Sequence, residues 1–351
     1  MTPTLLRVLV PATALGVALA VFFGAVSDIG RQSASYRRTV DRGFAALAGS
    51  VAIRSTASGA ILQSVLTNGP SLDRIAFFST LDTVATQTAH QADDLASYTS
   101  PAPAAAVGAC RGALDDRAAA AADLRQAFEG VLGGRTGTSP ISSDAAMAQA
   151  DTGLSSAAQG DVSWRACQQD LLKAPGSPRL AASTWFTDPT TWSGLWLATV
   201  LPSIIGSPSL AANPALDVVT VSTTPGVLVV GGSPVVSATH ALSVHVVVSN
   251  TGNVDQPGVR VTANLSGGRV DGPGSLSAFV ALGAGRSTSV VIGPFAVVPG
   301  TGYTLSVTAA PPAGAGTATA SLGLQVAAVP TTTTTTTTTA PPKRNTPRTT
   351  G

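Results

Sequence analysis

The hydrophobic positions of this chain change their period twice. From Val8 to Val26 the residues are apolar almost without interruption, Thr13 being the one polar residue. At about 1.5 Å rise per residue, such a run approaches the thickness of a bilayer's hydrocarbon core. From there to about residue 173 the apolar positions recur in helical steps of three and four. From Asp217 onward they alternate with polar ones, the pattern of strands with one buried face.

The helical stretch reads as four helices joined by short turns. The first carries Tyr36, Val40, Phe44, Leu47, Val51, Ile61 and Val65 on one face and ends at Asn68-Gly69-Pro70. No breaker separates it from the apolar run, so the two read as one continuous rod. Ser71 is placed to cap the second helix, which carries Leu72, Ile75, Phe78, Leu81, Val84 and Leu95 and stops before Pro101 and Pro103. The third has the clearest seam, through Val107, Cys110, Leu114, Ala118, Ala121, Leu124, Phe128 and Val131, and terminates at Gly133-Gly134. The fourth runs from about Ser143 to Lys173 with Trp164, Cys167 and Leu171 on one face, and a break or bend is expected near Gly160-Asp161. One apolar stripe per helix predicts an up-down antiparallel four-helix bundle over 29–173, behind a membrane anchor over 1–28.

Residues 174–216 are apolar but irregular, because Pro175, Pro178, Pro189, Pro202, Pro208 and Pro214 forbid a long helix. Trp185, Phe186, Trp192 and Trp196 gather there. Trp192 to Ile205 form either an interfacial patch at the membrane or a cover over the open end of the bundle; Pro202 spoils the amphipathic helix that an interfacial element needs and favours the cover.

In the period-2 region, 242–248, 259–265, 303–307 and 322–326 alternate, separated by turn clusters such as Ser249-Asn250-Thr251-Gly252-Asn253 and Pro299-Gly300-Thr301-Gly302. About seven or eight short strands over 217–329 describe an immunoglobulin-like β-sandwich. The succession Val246-Val247-Val248-Ser249-Asn250-Thr251-Gly252-Asn253, Gly258-Val259-Arg260-Val261, Gly285-Arg286-Ser287 before Val290-Val291-Ile292-Gly293, and Tyr303-Thr304-Leu305-Ser306-Val307 resembles the CARDB-like and related immunoglobulin-like repeats of bacterial envelope proteins. That resemblance implies a spacer, adhesion or docking module and transfers no binding residues. The segment from Ser163-Trp164-Arg165-Ala166-Cys167 to Ser183-Thr184-Trp185 resembles uncharacterised actinobacterial membrane-anchored proteins, which implies no activity. The tail, 330–351, holds a threonine run from Thr331 to Thr339 and then Lys343, Arg344 and Arg348; it cannot bury enough apolar area to offset its ordering entropy and is expected to be disordered. It is either a solvated end or a contact for anionic wall polymer.

Composition bears on the compartment. Charged residues make up 11% of the chain, against roughly 25% in ordinary soluble domains. Glu129 is the sole glutamate, and Lys173 and Lys343 are the only lysines, a bias that a GC-rich genome writes. A net charge of +2 is too small and too dispersed to imply nucleic acid. The apolar run also fits a secretory signal peptide, with Arg7 before it and Ala18-Leu19-Ala20 as a cleavage pattern, but its length favours an uncleaved anchor. Arg31, Arg37, Arg38 and Arg42 after the run, read alone, place the bulk of the chain in the cytoplasm. The cysteine pair, the Thr/Pro tail and the sparsely charged β region place it outside. Large domains translocate with little regard to charge, and the outside is the better expectation.

Candidate chemistry is thin. Cys110 and Cys167 lie on core-facing stripes of helices expected to be neighbours, which in an oxidising compartment predicts a disulfide; two buried thiols are the alternative. His90, Asp93 and Asp94 share a helix as metal ligands do, but supply one incomplete cluster. Asp115-Asp116-Arg117 reads as an exposed, locally paired face. His240 and His245 fall in the β region without a Gly-x-Ser-x-Gly elbow, His245 facing solvent, and Gly231-Gly232 and Gly267-Gly268 fall in β-turns rather than a phosphate-binding loop. Asn250 to Asp255 and Gly267 to Gly274 are the loops available for binding. No catalytic residue, cofactor or metal is expected. The sequence thus predicts a single-pass, membrane-anchored, extracytoplasmic structural, adhesion or docking protein of a bacterial envelope, with the lipid bilayer, cell-wall polymer or another envelope protein as partners. The alternative is a helical-bundle sensor or partner-binding accessory subunit of a membrane complex.

Overall fold

The computed structural model describes residues 42–98, 104–137, 139–173, 179–186, 192–312 and 316–330. The expected anchor with Val8 and Val26, the helical positions Tyr36 and Val40, and the tail from Thr331 lie outside the described residues. The chain divides into a helical unit running to Ala215, which also claims the short loop Gly252–Gln256, and a β-rich unit from Leu216.

In the helical unit, α1 spans 42–68 and closes with a single 3-10 turn, Gly69–Ser71, that contains Pro70. Among the described residues it is the helix long and apolar enough to cross a membrane. Its Phe44, Val51, Ala52, Leu62, Val65 and Leu66 are nevertheless buried against the other helices, as expected of a core helix. Helix α2, Arg74–Ala96, is capped by Asp73, whose carboxylate accepts from the Ala76 amide at 2.8 Å. Ser71 does not cap it: the hydroxyl sits in the 3-10 turn and donates back to the Asn68 carbonyl at 2.7 Å. Two stripe positions also differ, since Ile61 and Ile75 are exposed and Leu62 and Phe77 take the buried places.

Helices α3, Ala104–Val131, and α4, Ser143–Leu172, pack closely along their lengths. The expected break in α4 is absent, and the helix runs unbroken through Gly160-Asp161. Gly153 and Gly160, two turns apart on one face, instead let the backbone of α4 approach α3. A Cβ on Gly160 would lie 2.8 Å from Cγ of Arg117 and 3.0 Å from the Ala113 carbonyl oxygen. Overpacking at Gly160→Ala costs about 1–3 kcal/mol against the roughly 1 kcal/mol that alanine gains in helix propensity, so a net destabilisation of the helical unit of up to about 2 kcal/mol is expected. Gly108→Ala, in α3 with nothing within 4 Å of the added Cβ, is expected to stabilise by about 0.5–1 kcal/mol. Denaturant unfolding of the two variants side by side checks the opposite signs.

The segment expected to be irregular contains a further helix, α5, Gly194–Ile205, with Pro202 inside it. Proline there forfeits one backbone hydrogen bond, but Leu197, Leu201 and Ile204 place one face in the core with Trp185, Phe186 and Leu210, and burial outweighs the loss. Trp192 and Trp196 pack on the same core, the Trp192 ring stacked on Phe186 at 5.3 Å and 4.4 Å from Trp196. Both rings thus lie against the helical core, partly buried.

The β-rich unit has nine strands among the described residues, more than the seven or eight expected. They are β1 Leu216–Thr224, β2 Val227–Val230, β3 Ser233–Val236, β4 Ala241–Asn250, β5 Gln256–Ser266, β6 Ser275–Leu282, β7 Ser287–Ala296, β8 Gly302–Ala310 and β9 Ala318–Val326. One sheet has the order β1-β4-β7 and the other β2-β3-β9-β8-β5-β6, with β3 parallel to β9. The alternation seen in the sequence sets the faces: Leu242, Val244, Val246 and Val248 of β4 point into a core shared with Val259, Val261, Leu305 and Val307. His245 points the other way, half-buried, its Nε2 at 2.8 Å from Thr224 Oγ1. Gly231-Gly232, both at positive φ, turn β2 into β3, a short hairpin that the alternation alone did not resolve.

Candidate functional site

Among the described residues, a dense polar cluster lies inside the helical unit, where Ser183-Thr184-Trp185-Phe186 are held by three helices. From α3, Arg117 donates to Asp161 Oδ1 at 2.7 Å, to the Ser183 carbonyl and hydroxyl, each at 2.8 Å, and to the Ser55 hydroxyl at 3.1 Å. From α4, the Asp161 carboxylate accepts from the backbone amides of Trp185 at 3.0 Å and Phe186 at 3.1 Å. From α1, Gln63 donates to the Trp185 carbonyl, and Thr56 donates to Ser183 Oγ at 3.0 Å. The Trp185 indole N–H donates to Ser55 Oγ at 3.1 Å, and its ring lies against Gly59, where a Cβ would come within 2.7 Å.

Arg117 is fully buried and Asp161 nearly so. Burial pushes the Arg117 guanidinium below its ordinary pKa, and the hydrogen bond and charge of Asp161 oppose that shift. Arginine stays protonated, and the Asp161 carboxylate is its ion-pair partner inside the core. Its donors are satisfied apart from Nε, and the rings of Trp164 and Trp185 flank the guanidinium at 5.7 and 5.9 Å. Chemically the cluster holds a peptide backbone, and its Ser55 and Ser183 hydroxyls are engaged by Arg117, Trp185 and Thr56.

A second buried guanidinium, Arg74 in the first turn of α2, donates to the carbonyls of Leu132, Gly134 and Leu210 and lies 4.8 Å from the Phe78 ring centroid. Burial lowers its pKa as well. It ties the turn just past α3, through the Leu132 and Gly134 carbonyls, to the Leu210 carbonyl beyond α5.

No family model and no curated protein matches this chain. Among solved structures it is similar to the alkylpurine DNA glycosylase AlkC of Pseudomonas fluorescens, bound to DNA containing an abasic site analogue, at 12% identity over 82% of this chain and 99% of that one, with a TM-score of 0.21. A likeness of that size carries no argument about fold or function.

The residues singled out in the sequence fall as follows. Cys110 and Cys167 face each other across α3 and α4 at disulfide distance, Cα to Cα 4.9 Å. His90 is exposed, and Asp94 is engaged by Arg54 at 2.8 Å. Asp115-Asp116-Arg117 is not an exposed face throughout: Asp115 is exposed and Asp116 accepts from Ser163, but Arg117 turns into the core. Of the two candidate binding loops, Asn250 to Asp255 is largely buried, with Asn253 accepting from the Asn213 amide at 2.7 Å and donating to the Ala211 carbonyl at 2.9 Å. Gly267 to Gly274 stays mostly exposed, with Arg269 and Asp271 paired at 2.9 Å.

The Arg117–Asp161 pair was the site that sequence reading missed, although a signal was present. Arg117 stands three residues after Leu114 and four before Ala121, on the seam itself, and Asp161 stands three before Trp164. A charge on a core stripe of one helix and an opposite charge on the core stripe of its neighbour is the pattern of an internal ion pair.

Proposed function

We propose that this protein is a membrane-anchored, extracytoplasmic structural, adhesion or docking protein of a bacterial cell envelope and that it performs no catalysis. A four-helix bundle, closed by α5 and the clasped segment, follows the anchor, and an immunoglobulin-like sandwich presents the binding surface. The observation that carries this is the pair Cys110–Cys167, at disulfide distance inside a helical core. Disulfides persist in oxidising compartments and are rare in the cytosol.

Two features of the β-rich unit support the finer reading. Its sheets, β1-β4-β7 and β9-β8-β5-β6 with β3 added beside β9, follow the two-sheet division of immunoglobulin-like domains. Tyr303, near the start of β8, donates its hydroxyl proton to the Arg269 carbonyl at 2.6 Å and accepts from the Val298 amide at 2.8 Å, a bond pattern similar to the tyrosine corner of such domains. The Gly267 to Gly274 loop is the exposed surface on that scaffold.

Protease added to intact spheroplasts is expected to remove the β-rich unit, and a chain ending before Asp217 is expected to lose association with purified cell wall while remaining in the membrane. Survival of the β-rich unit until the membrane is permeabilised would overturn the location. Wall association unchanged by the truncation would move the binding role to the helical unit.

A further inference from the structure

We propose that the recess between the last turns of α4 and residues 179–180 is an oxyanion site, which takes a phosphate group between the side chains of Arg165 and Arg179. The recess has a volume of about 310 Å³ and is lined by Arg165, Gln168, Gln169, Leu172, Arg179 and Leu180. Neither arginine has a carboxylate partner among the described residues, so the recess carries two positive charges that no side chain offsets. Arg165 donates from Nε to the Asp161 carbonyl at 3.3 Å, which orients the side chain and leaves both Nη groups for a ligand. Gln168 donates to the carbonyls of Leu180 and Ala181 at 3.3 and 3.0 Å, tying the two walls of the recess together.

Two guanidinium groups lining one recess repel each other, and an anion between them converts that cost into attraction. Their forked donors match phosphate geometry, which an ammonium does not. The negative end of the α4 dipole does not account for them, because that effect fades within the last turn and Arg165 stands about two turns before the end. Leu172, 53% exposed, and Leu180 give the recess an apolar lip, suited to an organic phosphate rather than to the bare ion. The site stands on this geometry; only the carrier of the phosphate, a lipid headgroup or a soluble polymer, rests on the envelope assignment above.

The test uses the full chain in non-ionic detergent, titrated calorimetrically with glycerol phosphate, and flotation of the same protein with phosphatidylcholine vesicles with or without phosphatidylglycerol. Saturable binding of glycerol phosphate is expected, weakened roughly tenfold or more in R165Q/R179Q and weakened less in R165K/R179K, which keeps the charge and loses the fork. A phosphatidylglycerol-dependent gain in flotation that R165Q/R179Q abolishes supports the site with a headgroup as its ligand. Glycerol phosphate binding without that gain supports the site with a soluble phosphate as its ligand. No saturable binding of either probe, or binding that R165Q/R179Q leaves unchanged, overturns the proposal. R179Q alone, outside any helix, repeats the comparison should the double variant unfold. A failed spheroplast experiment does not touch the glycerol phosphate result, so the two readings fail separately.

Discussion

Replacing Arg117 with alanine is expected to destabilise the helical unit by about 3–5 kcal/mol, the usual cost of leaving one member of a buried ion pair without its partner. The substitution strands the Asp161 carboxylate in the core and removes the donors to Ser183 and Ser55. Replacing both charges, as in Arg117→Met with Asp161→Leu, restores less than buried ion pairs often allow. Asp161 also accepts from the backbone amides of Trp185 and Phe186, and no apolar side chain can do so. Two orphaned amides at about 1–3 kcal/mol each keep the double variant below the wild type. All the tryptophans, Trp164, Trp185, Trp192 and Trp196, lie in the helical unit, so tryptophan fluorescence during denaturant unfolding reports that unit alone. An R117A curve that overlays the wild type would show that the clasp contributes nothing to stability.

Loss of the Cys110–Cys167 link is expected to cost the same unit roughly 4 kcal/mol, because the bond closes a loop of 57 residues in the unfolded chain. The cost falls on the core that holds Phe44, Val51, Leu95, Trp164 and Leu171, where both cysteines are buried. Reductant should therefore shift the tryptophan-monitored transition to lower denaturant and leave the unfolding of the β-rich unit in place, and Cys110→Ser with Cys167→Ser should reproduce the shift without reductant. Non-reducing peptide mapping of protein taken directly from cells is expected to recover the two cysteines linked. Quantitative alkylation of both without prior reduction would remove the link and the main support for an extracytoplasmic location together.

Much of the architecture is legible in the sequence. The helical seam of α3, the stop at Asn68-Gly69-Pro70, the switch to alternation near residue 217 and the faces of β4 all follow from periodicity and turn chemistry, which are properties of neighbouring residues. Local rules misled where distant packing outweighed them. Gly160 reads as a break or bend and serves as a close-approach position against α3; Pro202 reads as spoiling a helix and sits inside one because three apolar neighbours are buried.

The sequence by itself determined α1 to α4, the alternating strands and which face of most of them is apolar, since those depend on intervals of two to four residues; it did not determine α5 or the β2–β3 hairpin. Only the tertiary structure decided that Arg117 is buried, because its partners Asp161, Ser183 and Ser55 lie 44, 66 and 62 residues away and must all converge before the desolvation of a guanidinium is compensated. It likewise decided that Asn250 to Asp255 is not a free loop: Asn-x-Gly chemistry specifies a turn, but whether that turn meets water depends on Ala211 and Asn213, whose hydrogen bonds to Asn253 no local pattern encodes. Burial is a property of what else arrives in space, and a single side chain does not carry that information.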